Sequence, residues 1–271
     1  MEIYSKSDIG LTRETNQDWS EFRILGKNCV IAVVCDGVGG ISGGGVASRI
    51  ASLDICQATE EMMSMLLNKD DVEVIEQVPK NLVNSDSFKQ KNSKTNFVFE
   101  IKPFLLGVLA GTSGKILKIG LEQPELSGLS TTVVAAVIFK NKLSIAHAGD
   151  SRAYMLKDDN LKQLTVDHSI VQELISKNQL SEDEAKKSIN KNIITQALGM
   201  QNINPDFIQT EIKKGEKILL CTDGLTNYVD DIKIKEILSL NKDIKSIAED
   251  LIEEAKSGGG KDNVTVTVIL N

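Results

Sequence analysis

Val30-Ile-Ala-Val-Val-Cys-Asp36-Gly37 and Lys217-Ile-Leu-Leu-Cys-Thr-Asp223-Gly224 are two apolar runs that end in the same dipeptide. Each is short, unbroken and bounded by turn residues, the pattern of a buried strand. A carboxylate at the end of such a strand, next to a residue that lets the backbone turn sharply, is well placed to hold a metal ion. Taken singly, Asp-Gly between apolar runs signals a hairpin. The residues downstream of each pair argue against that. After Gly37 comes Val38-Gly-Gly-Ile-Ser-Gly-Gly-Gly45, too rich in glycine for a returning strand. After Gly224 comes Leu225-Thr-Asn-Tyr-Val-Asp230, which reads as a short helical turn. Neither run has a strand partner immediately downstream.

Outward from these runs, the pattern predicts strands at Ile3 to Ile9, Trp19 to Leu25 and Cys29 to Cys35, then an amphipathic helix from Val46 to Leu67. Residues 68–103 turn to Asn, Lys, Ser and Asp and read as an excursion from the core, solvated or serving as a docking surface. A helical pattern returns from Phe104 to Leu121, broken by Gly111-Thr-Ser-Gly114. Strand-like runs come next at Ser130 to Phe139, Lys142 to Ala148 and Arg152 to Leu156, then short helices at Ile170 to Lys177 and Ser181 to Ser188. The second of these opens with a capping box, Ser181-Glu-Asp-Glu184. Strands at Ile208 to Ile212, Lys217 to Cys221 and Val264 to Leu270 enclose helices at Asp231 to Leu240 and Ile244 to Lys256. Without steady strand-helix alternation, this order favours antiparallel α+β layers over a doubly wound parallel sheet.

Bulk properties narrow the classes of function. The 271 residues carry a net charge of −7, with no basic stripe interleaved with aromatics, which argues against a nucleic-acid surface. No apolar stretch is expected to reach the roughly 20 residues of a bilayer-spanning helix, and the N-terminus lacks a basic region leading into an apolar one, so a soluble cytoplasmic protein is expected. Cys29, Cys35, Cys56 and Cys221 form no C-x-x-C pair and read as small buried hydrophobes. His147 and His168 are the two histidines; the first reads as a satisfied core residue and the second as a cap or structural hydrogen-bonding group.

Carboxylates are therefore the abundant ligands. Asp150 closes the run Leu143 to Gly149, Asp262 precedes Val264, and Asp18 precedes Trp19. If antiparallel strands bring these ends to Asp36 and Asp223, five carboxylates converge. Like charges in a half-buried cleft raise one another's pKa and call for cations, and an all-oxygen ligand set selects hard ions, Mg²⁺ or Mn²⁺. Such a site can lower the pKa of a water and clamp a phosphoryl oxygen. Arg13, five residues before Asp18, offers a guanidinium fork that matches phosphate oxygens.

These residues resemble the metal-dependent protein phosphatases of type 2C (the PPM family) in their bacterial form. The likeness is carried in order by Arg13-x-x-Asn16-Gln-Asp18, Val34-Cys-Asp36-Gly37-Val-Gly39-Gly40, Ser130-Thr131-Thr132, Ala148-Gly149-Asp150-Ser151-Arg152, Leu164-Thr-Val-Asp167-His168-Ser169, Ala197-Leu198-Gly199, Cys221-Thr-Asp223-Gly224-Leu225 and Lys261-Asp262-Asn263-Val264-Thr265. The resemblance implies one catalytic domain over residues 1–271, a β-sandwich of two antiparallel sheets flanked by helices on both sides, four layers αββα. It implies that Asp36 bridges two ions, Gly37 ligates one through its carbonyl, and Asp223 and Asp262 complete the pair. Asp18 acts on an ion through water, and Asp150 with Asp223 holds a weaker third ion. Arg13 binds the substrate phosphate, Asn263 supports the site, and residues 170–193 form a flap. The implied activity is hydrolysis of phosphoserine and phosphothreonine in proteins by a metal-bridging hydroxide, by a monomer acting in signalling against a cognate Ser/Thr kinase.

Some family members have histidine where this chain has Val38, and the family usually has glycine where it has Ser130 and glutamate where it has Gly45. Val38 leaves no side-chain acid at the first motif. The glycine-rich stretch lacks both Gly-Lys-Ser/Thr and G-x-G-x-x-G, so it does not read as a nucleotide loop; its expected task is backbone approach to the metals. Two rival functions stand beside the phosphatase: a catalytically weak or inactive member acting as a regulatory binding module, and a phosphohydrolase of small phosphorylated molecules.

Overall fold

The computed structural model describes residues 1–38, 43–67, 72–75, 97–181, 184–185, 188, 190 and 192–271. In chain order the elements are β1 (Glu2–Asp8), β2 (Asp18–Leu25), β3 (Cys29–Val38), α1 (Gly43–Leu67), β4 (Val72–Ile75), β5 (Phe97–Glu100) and α2 (Ile101–Glu122). They continue with β6 (Ser130–Thr131), β7 (Val133–Phe139), β8 (Lys142–Ala148), β9 (Arg152–Lys157), β10 (Asn160–Gln163) and α3 (Ile170–Ser176). The last are β11 (Asp206–Glu211), β12 (Lys217–Cys221), α4 (Asp223–Thr226), α5 (Asp231–Ser239), α6 (Ile244–Ser257) and β13 (Val264–Leu270).

Two sheets stack. The first has the order β1-β13-β12-β9-β10 and the second β11-β8-β7-β3-β2, with β6 added to the end of β3; every pairing within them is antiparallel. A separate parallel pair joins β4 to β5.

The unbroken apolar character of β3 results from burial on both faces. Val30, Ala32 and Val34 point between the sheets, where they meet Ile138, Ile145, Leu220 and Ile269. Ile31, Val33 and Cys35 point outward into a second cluster with Ile55 of α1 and Leu105 and Leu109 of α2. On the far side, Leu219, Val266 and Val268 pack against Ile247, Leu251 and Ile252 of α6 and Ile234 of α5. Helices thus cover both outer faces, and the four-layer α+β sandwich expected from the sequence is the observed fold.

Several boundaries differ from the sequence reading. The helix expected from Phe104 begins at Ile101 and runs unbroken through Gly111-Thr-Ser-Gly114, so the polar excursion ends before residue 103. Thr112 and Ser113 are buried there: Thr112 donates to Asp54 at 2.5 Å and Ser113 accepts from the Gly199 N–H at 2.9 Å, while a Cβ on Gly111 or Gly114 would meet nothing. The polar residues are cross-links between elements rather than a break. This helix is also long and apolar enough to span a bilayer by length and composition, contrary to expectation, but its Ile101, Leu105, Leu109 and Ile116 are buried in the core. The run from Ser130 splits at Thr132, and β10 returns from β9 through Asp158 and Asp159, both with positive φ. Two residues there in the left-handed region give the tight turn that the charged sequence concealed. The capping box at Ser181 and Glu184 forms reciprocally, at 2.9 Å and 3.3 Å. Half of its helix, most of the 68–103 excursion and Gly39 and Gly40 lie outside the described residues.

The layer between the sheets relies on residues such as Leu220, fully buried at 0% exposure. Leu220→Ala is expected to cost about 2–5 kcal/mol in urea unfolding with an unchanged denaturant slope. A loss below about 1 kcal/mol would mean that the sheets are not held by this contact.

Candidate metal centre

Each predicted acidic residue stands at a strand end, and the topology decides which ends meet. Asp18 and Asp36 are paired residues of β2 and β3 in the second sheet. Asp223 comes just after β12 and Asp262 just before β13, neighbours in the first sheet. Asp150 sits where the chain crosses from β8 of one sheet to β9 of the other. All of the other four carboxylates act on Asp36, whose pKa lies well above the ordinary value, first through burial and then through Asp18, Asp223, Asp150 and Asp262. The five residues read from the sequence therefore share one site.

The glycines of the twin motifs work differently from expectation. Neither Gly37 nor Gly224 has positive φ. A Cβ on Gly37 would collide with the Gly44 carbonyl and the Gln17 oxygen, and one on Gly224 with the Asn263 carbonyl. Glycine is required for close approach of two backbones, not for a sharp turn. Gly44 faces Gly37 in the same way, which gives the glycine-rich stretch a packing role at the start of α1.

Hydroxyl groups fasten this frame. Thr131 Oγ1 donates to the Asp36 carbonyl at 2.8 Å, and Thr132 Oγ1 accepts from the Asp36 N–H at 3.0 Å. Thr222 Oγ1 donates to Asp18 Oδ2 at 2.8 Å while accepting from the Thr265 N–H at 3.0 Å. Asn227 donates to Asp223 Oδ2 at 2.8 Å. Asn263 donates its main-chain N–H to Asp262 Oδ1 at 2.9 Å, while its side-chain amide donates to the Ile9 and Thr15 carbonyls at 2.9 and 3.0 Å and its side-chain oxygen accepts from Gln17 N–H at 2.8 Å. It thereby pins the loop that carries Arg13. Arg13 is half exposed and donates to Asp262 Oδ2 at 2.8 Å, which raises its pKa. Sequence reading missed Thr222, Thr132 and Asn227, although Thr222 adjoins Asp223; hydroxyls in a strand look like ordinary β-formers.

The electrostatics have one sign. Burial, then Asp223 and Asp262, push Asp18 up to about 7 despite hydrogen bonds from Thr265 and Thr222. Burial, then Asp223 and Asp167, push Asp150 up to about 8. Asp223 is raised by burial and Asp262 and drawn back by hydrogen bonds with Asp36 and Asn227. Asp18 Oδ1 is buried without a hydrogen-bond partner among the described residues. An orphaned carboxylate oxygen and two acids sharing a hydrogen bond are what a cation would relieve, so the residues fit a hard divalent ion. The all-oxygen donor set fits Mg²⁺ or Mn²⁺.

Known proteins resemble this chain in sequence and fold. Residues 12–255 match the family model described as Protein phosphatase 2C. The chain is 30% identical over 265 residues to a serine/threonine phosphatase stp of Listeria welshimeri, covering 97% of this chain and 93% of the relative. The solved serine/threonine phosphatase of S. agalactiae superposes with a TM-score of 0.81 at 29% identity, covering 100% of this chain and 99% of that one. The catalytic domain of the serine/threonine protein phosphatase PstP, solved with two manganese ions, superposes with a TM-score of 0.72 at 29% identity over 98% of this chain and 96% of that one.

A carboxyl whose folded pKa is raised stabilises the protein below its unfolded value and loses that contribution as pH rises through the folded value. For Asp150 the loss runs from 3.8 to about 8. In chelator, the melting temperature of the wild type is expected to fall relative to Asp150→Asn between about pH 5 and pH 8, and added Mn²⁺ at the upper pH is expected to restore it. A constant difference across that range would mean that Asp150 is not held neutral.

Proposed function

The chain belongs to the protein phosphatase 2C family, and from that membership we propose how its own residues carry out the reaction. It is a metal-dependent serine/threonine phosphatase acting on phosphoproteins. The observation that carries the mechanistic reading is the convergence of Asp18, Asp36, Asp150, Asp223 and Asp262 beside the half-exposed Arg13.

Asp36 and the Gly37 carbonyl, with Asp223 and Asp262, would hold a pair of Mn²⁺ or Mg²⁺ ions, Asp18 would act through water, and Asp150 with Asp223 would hold a third, weaker ion. When bound, the ions supply Lewis acidity, lowering the pKa of a water and drawing charge from phosphoryl oxygens. The protein's part is orientation. The Asp36 main chain is held by the two threonine hydroxyls and the Thr132 N–H, the last donating to the Asp36 carbonyl at 2.8 Å, which fixes the point from which its carboxyl projects. Arg13 keeps one N–H on Asp262, which aims the rest of its fork at an incoming phosphate and favours the charge that grows on the equatorial oxygens. Water attacks phosphorus in line as the P–O bond to the seryl or threonyl oxygen breaks. Val38 offers no proton, so the departing oxygen takes one from water. No phosphoenzyme is required.

The four free, buried cysteines support a cytoplasmic setting, where the substrates would be products of a Ser/Thr kinase. The PstP complex with two manganese ions supports a divalent pair here, Mn²⁺ or Mg²⁺.

Hydrolysis of a phosphothreonine peptide and of an aryl phosphate separates the readings. Chelation or Asp36→Asn is expected to lower kcat/KM at least about a hundredfold on both substrates, and turnover that survives either treatment would refute the ion-pair mechanism. A second series tests the division of labour: Arg13→Ala should raise KM and lower kcat, and Asp150→Ala should keep two tight ions by calorimetry while slowing turnover. Loss of the tight pair in Asp150→Ala would contradict its role. Exclusive turnover of small phosphates, with the peptide untouched, would favour the small-molecule reading.

A further inference from the structure

The two histidines of the chain meet outside the acidic site. His147 of β8 is the register partner of Asp206 in β11, and the His168 ring stacks on it with centroids 4.7 Å apart and planes 10° from parallel. Asp206 Oδ2 lies 3.3 Å from His168 Nε2 and 4.0 Å from His147 Nε2. Nitrogen and oxygen ligand atoms from all three residues lie within 4.8 Å of one another, the composition of a transition-metal site. The ring geometry argues otherwise. Imidazole lone pairs lie in the ring plane, and two nearly parallel stacked planes share no point at which one ion could accept both. In addition, His168 Nδ1 accepts from the Gly149 N–H at 3.2 Å, which places the imidazole proton on Nε2, facing Asp206.

His168 therefore bridges a carboxylate to the backbone beside Asp150. Its main-chain N–H also donates to the Gly149 carbonyl at 2.9 Å, so one residue grips Gly149 through both N–H and C=O. Gly149 has φ +113°, and a Cβ there would lie 2.6 Å from Thr132, a position with little latitude. The His168 carbonyl accepts from Thr195 N–H at 2.8 Å, and Ile170 N–H donates to Ile193 at 3.0 Å, closing the base of the 170–193 segment. His147 supplies the wall behind the ring. Burial, then His168, lowers its pKa to about 4, so it stays neutral, and neither of its nitrogens has a hydrogen-bond partner among the described residues.

We propose that Asp206 and His168 are positioning residues that set the Gly149 backbone and through it the aim of Asp150, joining the base of the 170–193 segment to the third-ion position. This rests on the role given above to Asp150. Side-chain isosteres test it: asparagine at 168 keeps an acceptor where Nδ1 lies, whereas glutamine reaches toward Asp206 but gives up Gly149. Calorimetric Mn²⁺ binding without substrate is expected to show His168→Gln with its tight pair unchanged and its weak ion bound about tenfold less well. His168→Asn, which keeps the Gly149 acceptor but loses Asp206, should weaken that ion less than His168→Gln does, and kcat on an aryl phosphate should track the weak ion. If His168→Gln does not fold, Asp206→Ala, at a side chain 52% exposed, is expected to weaken the third ion in the same direction. Equal effects of Gln and Asn, or a wild-type third ion in His168→Gln or Asp206→Ala, would overturn the proposal. Asp150→Ala serves as the control: a third ion that persists there refutes the role of Asp150 itself, independently of His168.

Discussion

Mutual repulsion among buried carboxylates governs this molecule. Asp36 feels four other aspartates in a place where burial alone already disfavours its charge. A flexible chain would relieve such a conflict by turning the side chains outward, so the frame must be stiffer than the repulsion. It is stiff because both sheets are buried on both faces. The strand ends that carry the acids continue from cores of Val, Ile and Leu that leave no room to relax. The energy stored against the carboxylates is then available as ion affinity.

A second condition arises from the first. Acids at neighbouring strand ends can face one another only if the backbones carrying them nearly touch, and side chains would prevent this. Gly37 against Gly44 and Gln17, and Gly224 against Asn263, are the contacts where a methyl group would force the frame apart. Asn263 couples the two conditions, since its amide ties the Arg13 loop while its carbonyl faces Gly224. Phosphate recognition and ion binding are thus positioned by one residue that need touch neither ligand.

The layering was legible in the sequence because β3 and β12 are apolar without alternation and lack adjacent partners, a pattern that double burial imposes. The five aspartates were legible because strand ends recur at one edge of an antiparallel sandwich. What the sequence hid was local and relational. Gly111 to Gly114 looks like a helix break until Thr112 and Ser113 find Asp54 and Gly199 across the fold. His147 looks like a satisfied core residue, yet its nitrogens have no hydrogen-bond partner among the described residues, because its ring serves as a stacking wall for His168. Asp206 carried no signal, being one acidic residue in a polar stretch, and acquires meaning only through the register of β11 on β8.

The same electrostatics weigh against a role as an inactive binding module. For such a module, Asp18, Asp36, Asp150 and Asp223 would each be a cost: all have pKa values raised by burial, and asparagine would keep much of the shape without the charge. The threonine hydroxyls that hold Asp18 and Asp36 would then serve no purpose that the sheets do not already meet. The arrangement makes physical sense when the unfavourable charge is the working part. Acids held where they cannot satisfy one another are acids that a divalent ion can satisfy, and Arg13 stands at the edge of that charge with most of its fork unspent.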